Sequence, residues 1–250
     1  MFRSTLGYPT RFILSSKSQQ VSVGVTKTFP CSYLNNQMEQ LLLLQEESID
    51  INLFEQLLSL GFRRSGGTIY KPQCPHCNAC LPIRIPSATF TPSRRQKRTL
   101  RNNRDLVWKI IGKQAEYHYT LYETYINQRH SDGPMYPASK KQYQHFIGSG
   151  WLDPVFIELW SADKLVGVAV TDILPHSLSA IYSFFAPEEH KRSLGSLLIL
   201  LQCRLAKLMG KDFVYLGYQI DESRKMNYKT DYTPYQILTR SGWLQTPDEK

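Results

Sequence analysis

Residues 178–218 decide the fold of the C-terminal half, and they read LSAIYSFFAPEEHKRSLGSLLILLQCRLAKLMGKDFVYLGY. An apolar run rich in aromatic residues opens the stretch, and a second apolar run, FVYLGY, closes it. Between the two runs, leucines recur at helical spacing at positions 194, 197, 198, 201, 205 and 208. Two neighbouring strands that are joined by a helix run parallel. The stretch therefore predicts a β-α-β crossover, with a helix over residues 192–209 that ends at Gly210.

Segments with the period of strands lead into this crossover. VFIELW, LVGVAVTDIL and LSAIYSFFA are separated by the turns SADK and PHS, which predicts three antiparallel strands from Val155 onward. Before them, residues 114–130 predict a helix, and Ser139 is placed to cap a further helix over KKQYQHFIG. Residues 113–250 are therefore expected to form an α/β (α+β) domain built on a mixed sheet.

The start of the crossover helix is similar to the pyrophosphate-binding turn of the acyl-CoA-dependent N-acyltransferase (GNAT) superfamily, [Q/R]-x-x-G-x-[G/A]. Arg192 and Gly195 stand at its first and fourth positions, and backbone N–H groups at a helix start attract anions. The sixth position holds Leu197, where a side chain would obstruct the approach of pyrophosphate. The resemblance implies a GNAT-like N-acyltransferase domain whose donor is something other than acyl-CoA.

Residues 1–112 predict a second, cysteine-containing α/β subdomain. Asp50 is placed to cap a helix that carries Leu53, Leu57 and Leu60 on one face. FRRSGGTIYKP reads as a β-hairpin that turns at residues 65–67, and QLLLL, residues 40–44, fits either a buried strand or a helix fragment. Because no Pro-, Gly- or Ser-rich linker marks the division near residue 112, we expect the two parts to pack closely.

A cysteine cluster follows the hairpin, in which Cys74, Cys77 and Cys80 form the pattern CxxCxxC. Thiolates spaced three residues apart on a turn converge on one metal ion or cluster. Cys31, in the separate stretch PCSYL, is the natural fourth ligand, and His76 is a weaker one. The pattern predicts a zinc site or an iron–sulfur cluster without choosing between them. The alternative is a set of reduced thiols without a metal.

A basic strip overlaps this cluster, and the 44 residues from Gly61 to Arg104 contain no Asp or Glu. Arginine pairs in a bidentate manner with phosphate or carboxylate. The strip therefore predicts an electropositive surface for RNA phosphates or an acidic peptide, with a solvated basic face as the alternative. Its basic residues are Arg84, Arg94, Arg95, Lys97, Arg98, Arg101 and Arg104.

The net charge of +9 and the pI of about 9.3 also indicate a polyanionic partner, whether nucleic acid, a membrane surface or an acidic substrate. Residues 1–30 show no signal peptide, and no segment approaches the ~20 apolar residues that a membrane span needs. We expect a cytoplasmic protein with reduced cysteines and no membrane partner. The oligomeric state is not indicated.

Six ordered segments together resemble the aminoacyl-tRNA–protein transferase family, over nearly the whole chain. The short chain and the PCSYL/CxxCxxC form resemble its bacterial branch, the aspartate/glutamate leucyltransferases, which is related to the eukaryotic arginyl-tRNA–protein transferases. Two departures are S-R-R-Q-K-R in place of the more frequent S-R-S-Q-R-R, and the lack of a Pro-Gly-Cys-type turn in QIDESRKMNYK. The segments are PCSYL, YKPQCPHCNACLPIRI, FTPSRRQKRTLRNNRDL, RHSDGPMYP, YSFFAPEEHKRSLGSLLIL and VYLGYQIDESRKMNYK.

The resemblance implies an enzyme that transfers leucine from leucyl-tRNA to the α-amine of proteins with N-terminal Asp or Glu, which creates a signal for proteolysis. The alternatives are transfer of arginine to the same acceptors, a CoA-dependent N-acetyltransferase, and an RNA-binding zinc protein without catalysis. Because the ester of aminoacyl-tRNA is already activated, the transfer is expected to need no cofactor.

Aminolysis of an activated ester depends more on positioning than on a strong base, and no G-x-S-x-G motif is present. We predict that Asp132, Tyr136 and Tyr182 lie near the reacting atoms. The acidic acceptor residue requires a cation, for which Arg84 or the arginines of residues 94–101 are candidates. The predicted substrate-binding residues are Arg84, Arg94, Arg95, Arg98, Arg101, Asn102, Arg192, Gly195, Tyr218, Lys225, Tyr228 and Lys229.

Overall fold

The structure is a computed structural model that describes residues 10–14, 19–45 and 48–246. Its helices are α1 (Ile51–Ser59), α2 (Arg94–Asn102), α3 (Glu116–Arg129), α4 (Lys140–Ile147) and α5 (Leu194–Leu208). Short 3-10 helices cover Pro187–Arg192 and Asn227–Asp231. Its strands are β1 (Thr10–Leu14), β2 (Gln19–Val25), β3 (Phe29–Pro30), β4 (Met38–Glu39), β5 (Leu41–Leu44), β6 (Arg63–Ser65), β7 (Thr68–Pro72), β8 (Leu81–Pro86), β9 (Val107–Ile111), β10 (Val155–Ser161), β11 (Lys164–Ile173), β12 (Ser177–Phe185), β13 (Phe213–Gln219), β14 (Gln236–Thr239) and β15 (Gly242–Gln245).

A large sheet of eight strands runs in the order β15-β14-β8-β13-β12-β11-β10-β9. Its neighbouring strands are antiparallel except β12 and β13, which are parallel and joined through α5. This confirms the predicted mixed sheet, the three antiparallel strands and the β-α-β crossover. In the described residues, the fold is a mixed α+β architecture.

Helices cover both faces of this sheet. Strand side chains alternate between the faces, so Ile157 and Leu159 of β10 pack in the core that includes α5, whereas Phe156 packs in the core of α3 and α4. The leucine stripe of α5 is buried as predicted, except at its last member. Leu208 is 68% exposed, because α5 ends at that residue.

A smaller antiparallel sheet has the order β1-β2-β5-β7-β6 and packs against α1. The predicted hairpin is confirmed as β6 and β7, and residues 41–44 form a strand. The carboxylate of Asp50 caps α1 by accepting a hydrogen bond from the backbone N–H of Leu53 at 2.8 Å. Leu60, which was predicted to share a helical face with Leu53 and Leu57, is instead the C-cap of α1 and is 41% exposed.

Helix α2, which carries most of the basic strip, was not predicted from the sequence. Ser93 and Gln96 form a capping box at its start, and the Ser-x-x-Gln pattern is the local signal that predicts such a start. The division near residue 112 stays a prediction. Strands β8 and β9 precede that position in the chain, and both belong to the large sheet.

Two buried polar pairs tie these layers together. Arg64 of β6 meets Asp172 of β11 through bonds of 2.7 and 2.5 Å, and both side chains are fully buried. His118 of α3 lies 2.6 Å from the carboxylate of Glu158. Burial lowers the pKa of His118, and the imidazole therefore stays neutral at pH 7. Among the described helices, none is long and apolar enough to cross a membrane.

Candidate active site

The parallel strands β12 and β13 separate after a short paired stretch. Ser177, Leu178 and Ser179 pair with residues 213–215, but β12 continues to Phe185 and β13 to Gln219 without further pairing to each other. Backbone groups along the resulting gap lose their sheet partners and require others. We call the gap between residues 180–185 and 216–219 the splayed-strand site.

Arg63 reaches into this gap from β6. Its Nη2 donates a hydrogen bond to the carbonyl oxygen of Ala180 on β12 at 2.5 Å. On the other side, a Cβ atom added to Gly217 of β13 would lie 3.7 Å from Nε of Arg63, so the missing side chain leaves room for the guanidinium. Arg63 is only 7% exposed, and within the described part of the chain its Nη1 has no hydrogen-bond partner.

Lys229 approaches the same gap from the 3-10 helix of residues 227–231. Its Nζ donates to the carbonyl oxygen of Tyr218 on β13 and lies 3.3 Å from the sulfur of Met226. Burial, followed by the positive charge of Arg63, lowers the pKa of Lys229 to about 7. Because Lys229 is 5% exposed, it lies at the base of the site rather than on a surface that faces duplex RNA.

Phenol groups lie at the site, where Tyr70 and Tyr218 affect the pKa of Arg63 and the ring of Tyr228 lies 5.6 Å from Nζ of Lys229. Their hydroxyls are close enough to influence one another's pKa, and burial raises the pKa of each. At neutral pH they are therefore protonated hydrogen-bond donors. Tyr182 of β12 makes no hydrogen bond to another described residue through its hydroxyl, which leaves this donor available. The phenols belong to Tyr33, Tyr70, Tyr182, Tyr218 and Tyr228.

Cys80 of the cysteine cluster lies next to the site, because it affects the pKa of Lys229 and Tyr218. Burial, followed by the neighbouring thiols, raises the pKa of Cys80 to about 12. Cys31, Cys74, Cys77 and Cys80 are half-buried and unpaired. In the described ranges no group of three or more His, Cys, Asp or Glu residues is arranged to hold a metal ion. The four sulfurs therefore do not form a ligand set in this structure, and the predicted metal site is unconfirmed.

Of the three residues predicted near the reacting atoms, only Tyr182 lies in the splayed-strand site. Asp132 is exposed and pairs with Lys225 at 3.0 Å, and this hydrogen bond lowers the pKa of Asp132. Tyr136 is 48% exposed. No hydrogen bond or ion pair joins Asp132 to Tyr136 or Tyr182 among the residues described.

Arg84 is held at the far end of β13. Its guanidinium stacks 3.6 Å from the ring of Phe213 and 4.1 Å from that of Trp243. It also donates to the side chains of Gln236 and Tyr215. Arg84 lines a separate cavity of about 360 Å³. Its surroundings are those of a packing residue, and its predicted role in substrate binding is untested.

The start of α5 is covered by protein groups. Arg192 pairs with Asp105 at 2.9 Å and with Glu189 at 2.7 Å, so its charge is already neutralised. A Cβ on Gly195 would lie 3.1 Å from the ring of Phe185, which packs on this turn. Leu197 is buried. This arrangement is unlike an open turn that receives pyrophosphate.

Helix α2 lies beside these elements and presents an exposed basic face. The side chain of Asn103 donates to the backbone oxygen of Arg192, and Gln96 donates to that of Asp231, which ends the 3-10 helix carrying Lys229. Arg95 pairs with Asp231 at 3.6 Å. The remaining predicted contact residues of α2 are exposed and make no ion pair with the described part of the chain. They are Arg94, Arg98, Arg101 and Asn102.

Sequence reasoning missed Arg63, Tyr33 and Tyr70. A usable signal was present for Arg63, because two consecutive arginines that directly follow Phe62 in a short strand are costly to bury unless they have partners inside the fold. The two tyrosines carry no such signal. They reach the site only because β7 and the PCSYL loop fold beside β13, and Tyr70 and Tyr218 have ring centroids 6.3 Å apart.

Comparison with known proteins shows the family of this chain. A profile of the arginine-tRNA-protein transferase C terminus matches residues 117–239, and a profile of the N terminus of that family matches residues 29–98. An aspartate/glutamate leucyltransferase of Shewanella putrefaciens is 63% identical over 223 residues, which cover 89% of this chain and 95% of that protein. One of Shewanella oneidensis is 61% identical over 229 residues, 92% of this chain and 96% of that protein.

The chain therefore belongs to the arginine-tRNA–protein transferase family of aminoacyltransferases, and within it to the bacterial leucyltransferase branch. The resemblance predicted from the six sequence segments is confirmed. Among solved structures, FemX matches with a TM-score of 0.48 at 8% identity, over 87% of this chain and 81% of that chain. At this similarity the fold is defined no further than the mixed α+β architecture described above.

Proposed function

We propose that this protein transfers leucine from leucyl-tRNA to the α-amine of proteins that begin with Asp or Glu. The observation that carries the proposal is the family membership, together with relatives above 60% identity that are named aspartate/glutamate leucyltransferase. The product begins with leucine and is marked for proteolysis, as the family implies. We place the reaction in the cytoplasm, where aminoacyl-tRNA is available.

The splayed-strand site is where we place the reaction. We interpret the domain as GNAT-like, because it joins two splayed parallel strands through one long helix. The covered start of α5 disfavours acyl-CoA as donor, since Phe185 and Leu197 occupy the space around that turn. The exposed arginines of α2 favour a polyanionic donor at the same edge, because each cation near a phosphate contributes to affinity.

The chemistry is an aminolysis in which the neutral α-amine attacks the ester carbonyl carbon. A C–N bond forms, the C–O bond to the terminal ribose breaks, and the amine proton leaves with the ribose hydroxyl. An α-amine has a pKa of ~7.7–8.0, so roughly a tenth is neutral at pH 7 without any base. The site therefore has to hold the two reactants together and stabilise the developing oxyanion. The ester is already activated, and the proposed reaction takes no step through a metal or cofactor.

Tyr182 is our candidate for the oxyanion donor. Its hydroxyl faces other phenols in the site, and burial raises its pKa, so it remains protonated at neutral pH. Tyr182→Phe removes one oxyanion donor and is expected to lower kcat by about 100-fold or more. Single-turnover transfer at saturating substrates measures this effect. A variant that folds normally and keeps full kcat assigns Tyr182 to packing.

The first experiment uses purified protein with radiolabelled leucyl-tRNA and arginyl-tRNA in separate reactions. Peptides beginning with Asp, Glu, Arg or Ala serve as acceptors. We expect transfer of leucine to the Asp and Glu peptides alone. Transfer of arginine instead assigns the arginyl activity and overturns the proposed donor. No transfer from either tRNA, combined with tight binding of acetyl-CoA, replaces the proposal with an N-acetyltransferase.

A further inference from the structure

The two buried cations of the splayed-strand site have more hydrogen-bonding capacity than the protein uses. The guanidinium of Arg63 is anchored through Nη2 to Ala180, and its Nη1 has no partner among the described residues. The ammonium of Lys229 has three donors, of which one goes to the carbonyl of Tyr218 and one points at the sulfur of Met226. Each cation is thus fixed on one of the two separated strands and retains donors.

No carboxylate of the described residues neutralises either cation. Asp172 is the acidic group that affects the pKa of Arg63, but both of its oxygens accept hydrogen bonds from Arg64. The ion pairs found in the described ranges do not include Arg63 or Lys229. Buried charges in proteins are normally paired, since an unpaired one carries a large desolvation cost. An anion that enters the site would offset that cost.

We propose that Arg63 and Lys229 together form the subsite that binds the side-chain carboxylate of the acceptor's N-terminal Asp or Glu. The inference rests on the proposed function. A carboxylate is the fitting anion because the site is buried and therefore suits a small group, and because its two oxygens accept from an arginine and a lysine at once. The phenols of Tyr70 and Tyr218, which affect the pKa of Arg63, supply polar walls next to it.

This placement accounts for two needs of the reaction. In an N-terminal Asp, a single methylene separates the side-chain carboxylate from the Cα that bears the attacking amine. A cation pair at the base of the gap therefore holds the amine within the gap, on whose β12 side Tyr182 lies. The same pair rejects N-terminal Asn or Gln, because a neutral amide leaves both buried cations without a counter-charge.

The test is a double-mutant cycle between the protein and the peptide. Lys229→Met removes the ammonium and Asp→Asn at the peptide N-terminus removes the carboxylate, and kcat/KM is measured for the four combinations. We expect Lys229→Met to lower kcat/KM for the Asp peptide by about 30- to 100-fold and to change that for the Asn peptide by less than about threefold. Lys229→Arg is expected to restore most of the preference for Asp. Lys207→Met, which removes an exposed lysine from the last turn of α5, is the matched control.

Equal losses for the Asp and Asn peptides overturn the proposal, because a structural or proton-accepting lysine affects both acceptors alike. The proposal is also overturned if Lys229→Met raises the KM for leucyl-tRNA and leaves the ratio of kcat/KM for the Asp and Asn peptides unchanged. That result would assign the cations to tRNA binding. If Lys229→Met does not fold, the subsite is tested by calorimetry, which measures peptide binding to the wild-type protein without tRNA. The Asp peptide is expected to bind at least about tenfold more tightly than the Asn peptide, and equal affinities overturn the subsite. This binding assay also separates the subsite from the proposed function, because it does not require transfer.

Discussion

Two regions of this protein carry positive charge, but in one the cations are buried and in the other they are exposed to solvent. In the splayed-strand site, Arg63 and Lys229 are at least nine-tenths buried and fixed on strand carbonyls. On α2, Arg94, Arg98 and Arg101 are exposed to water. A buried cation acts over a short range on one partner, and salt hardly screens it, whereas exposed cations add up over a surface and weaken as salt rises. We therefore expect the buried cations to bind one carboxylate and the exposed arginines of α2 to contact several phosphates.

Arg63 and its neighbour Arg64 are both buried, but they differ in how many hydrogen-bond partners their guanidinium groups have. Arg64 donates to both oxygens of Asp172 and to the carbonyl oxygens of Gly66 and Ile147. Arg63 donates to a single carbonyl and keeps Nη1 free of any partner in the described part of the chain. The saturated arginine fits a role in folding, and the unsaturated one fits a role in binding.

The largest effect is expected on stability, from Arg64→Met, because this variant leaves Asp172 buried without its partner. Breaking a buried pair in this way costs about 3–5 kcal/mol of the free energy of unfolding. Arg63→Met is expected to cost much less, because no carboxylate loses its partner. Urea denaturation of both variants measures the difference. The double variant Arg64→Met/Asp172→Leu serves as control and is expected to recover most of the loss. Equal destabilisation by the two single variants would remove the distinction between the neighbours.

The exposed region is tested by the triple variant Arg94→Gln/Arg98→Gln/Arg101→Gln. We expect a higher KM for leucyl-tRNA and an unchanged KM for the acceptor peptide. The slope of log(kcat/KM) against log[salt] is expected to become shallower by about 0.7–0.9 for each arginine that contacts a phosphate. Lys207→Gln, a charge removal at the other end of α5, controls for net charge. A change in the KM of the peptide alone would contradict the assignment of α2 to the tRNA.

The smallest and most specific effect is expected from a change of pH, which should alter the preference for the Asp peptide over the Asn peptide. The pKa of Lys229 is lowered to about 7 by burial and by Arg63, while Tyr228 and Cys80 lie near it as neutral groups. The cation is therefore lost as pH rises through 7, and the ratio of kcat/KM for the Asp peptide to that for the Asn peptide is expected to fall.

The fall should amount to about twofold at pH 7 and up to tenfold at pH 8, relative to pH 6. The α-amine titrates similarly in both peptides, so its contribution cancels in the ratio. Lys229→Arg is expected to make the ratio constant over this range, because arginine keeps its charge. A wild-type ratio that does not change between pH 6 and 8 would show that the lysine is not titrating in the acceptor site.

Local pattern predicted β10 to β13 of the large sheet, because the spacing of apolar residues reflects which face of a strand or helix is buried. The leucine stripe, the turns SADK and PHS, and the capped helices α1 and α4 were all found this way. Helix α2 was missed, since Leu100 is its one apolar residue and gives no apolar stripe, and only the Ser93–Gln96 capping box marks its start. Asp132 and Tyr136 belong to one loop, and both are exposed.

The sequence by itself determined the β-α-β crossover, the basic strip and the family, because these depend on residues close together in the chain or on segments in a fixed order. Only the tertiary structure decided which cations are buried. Arg63, Ala180, Tyr218 and Lys229 come from four separate segments, and they meet because β12 and β13 part after three paired residues. The carbonyls freed by that parting need donors, and no local pattern indicates which distant side chains will supply them.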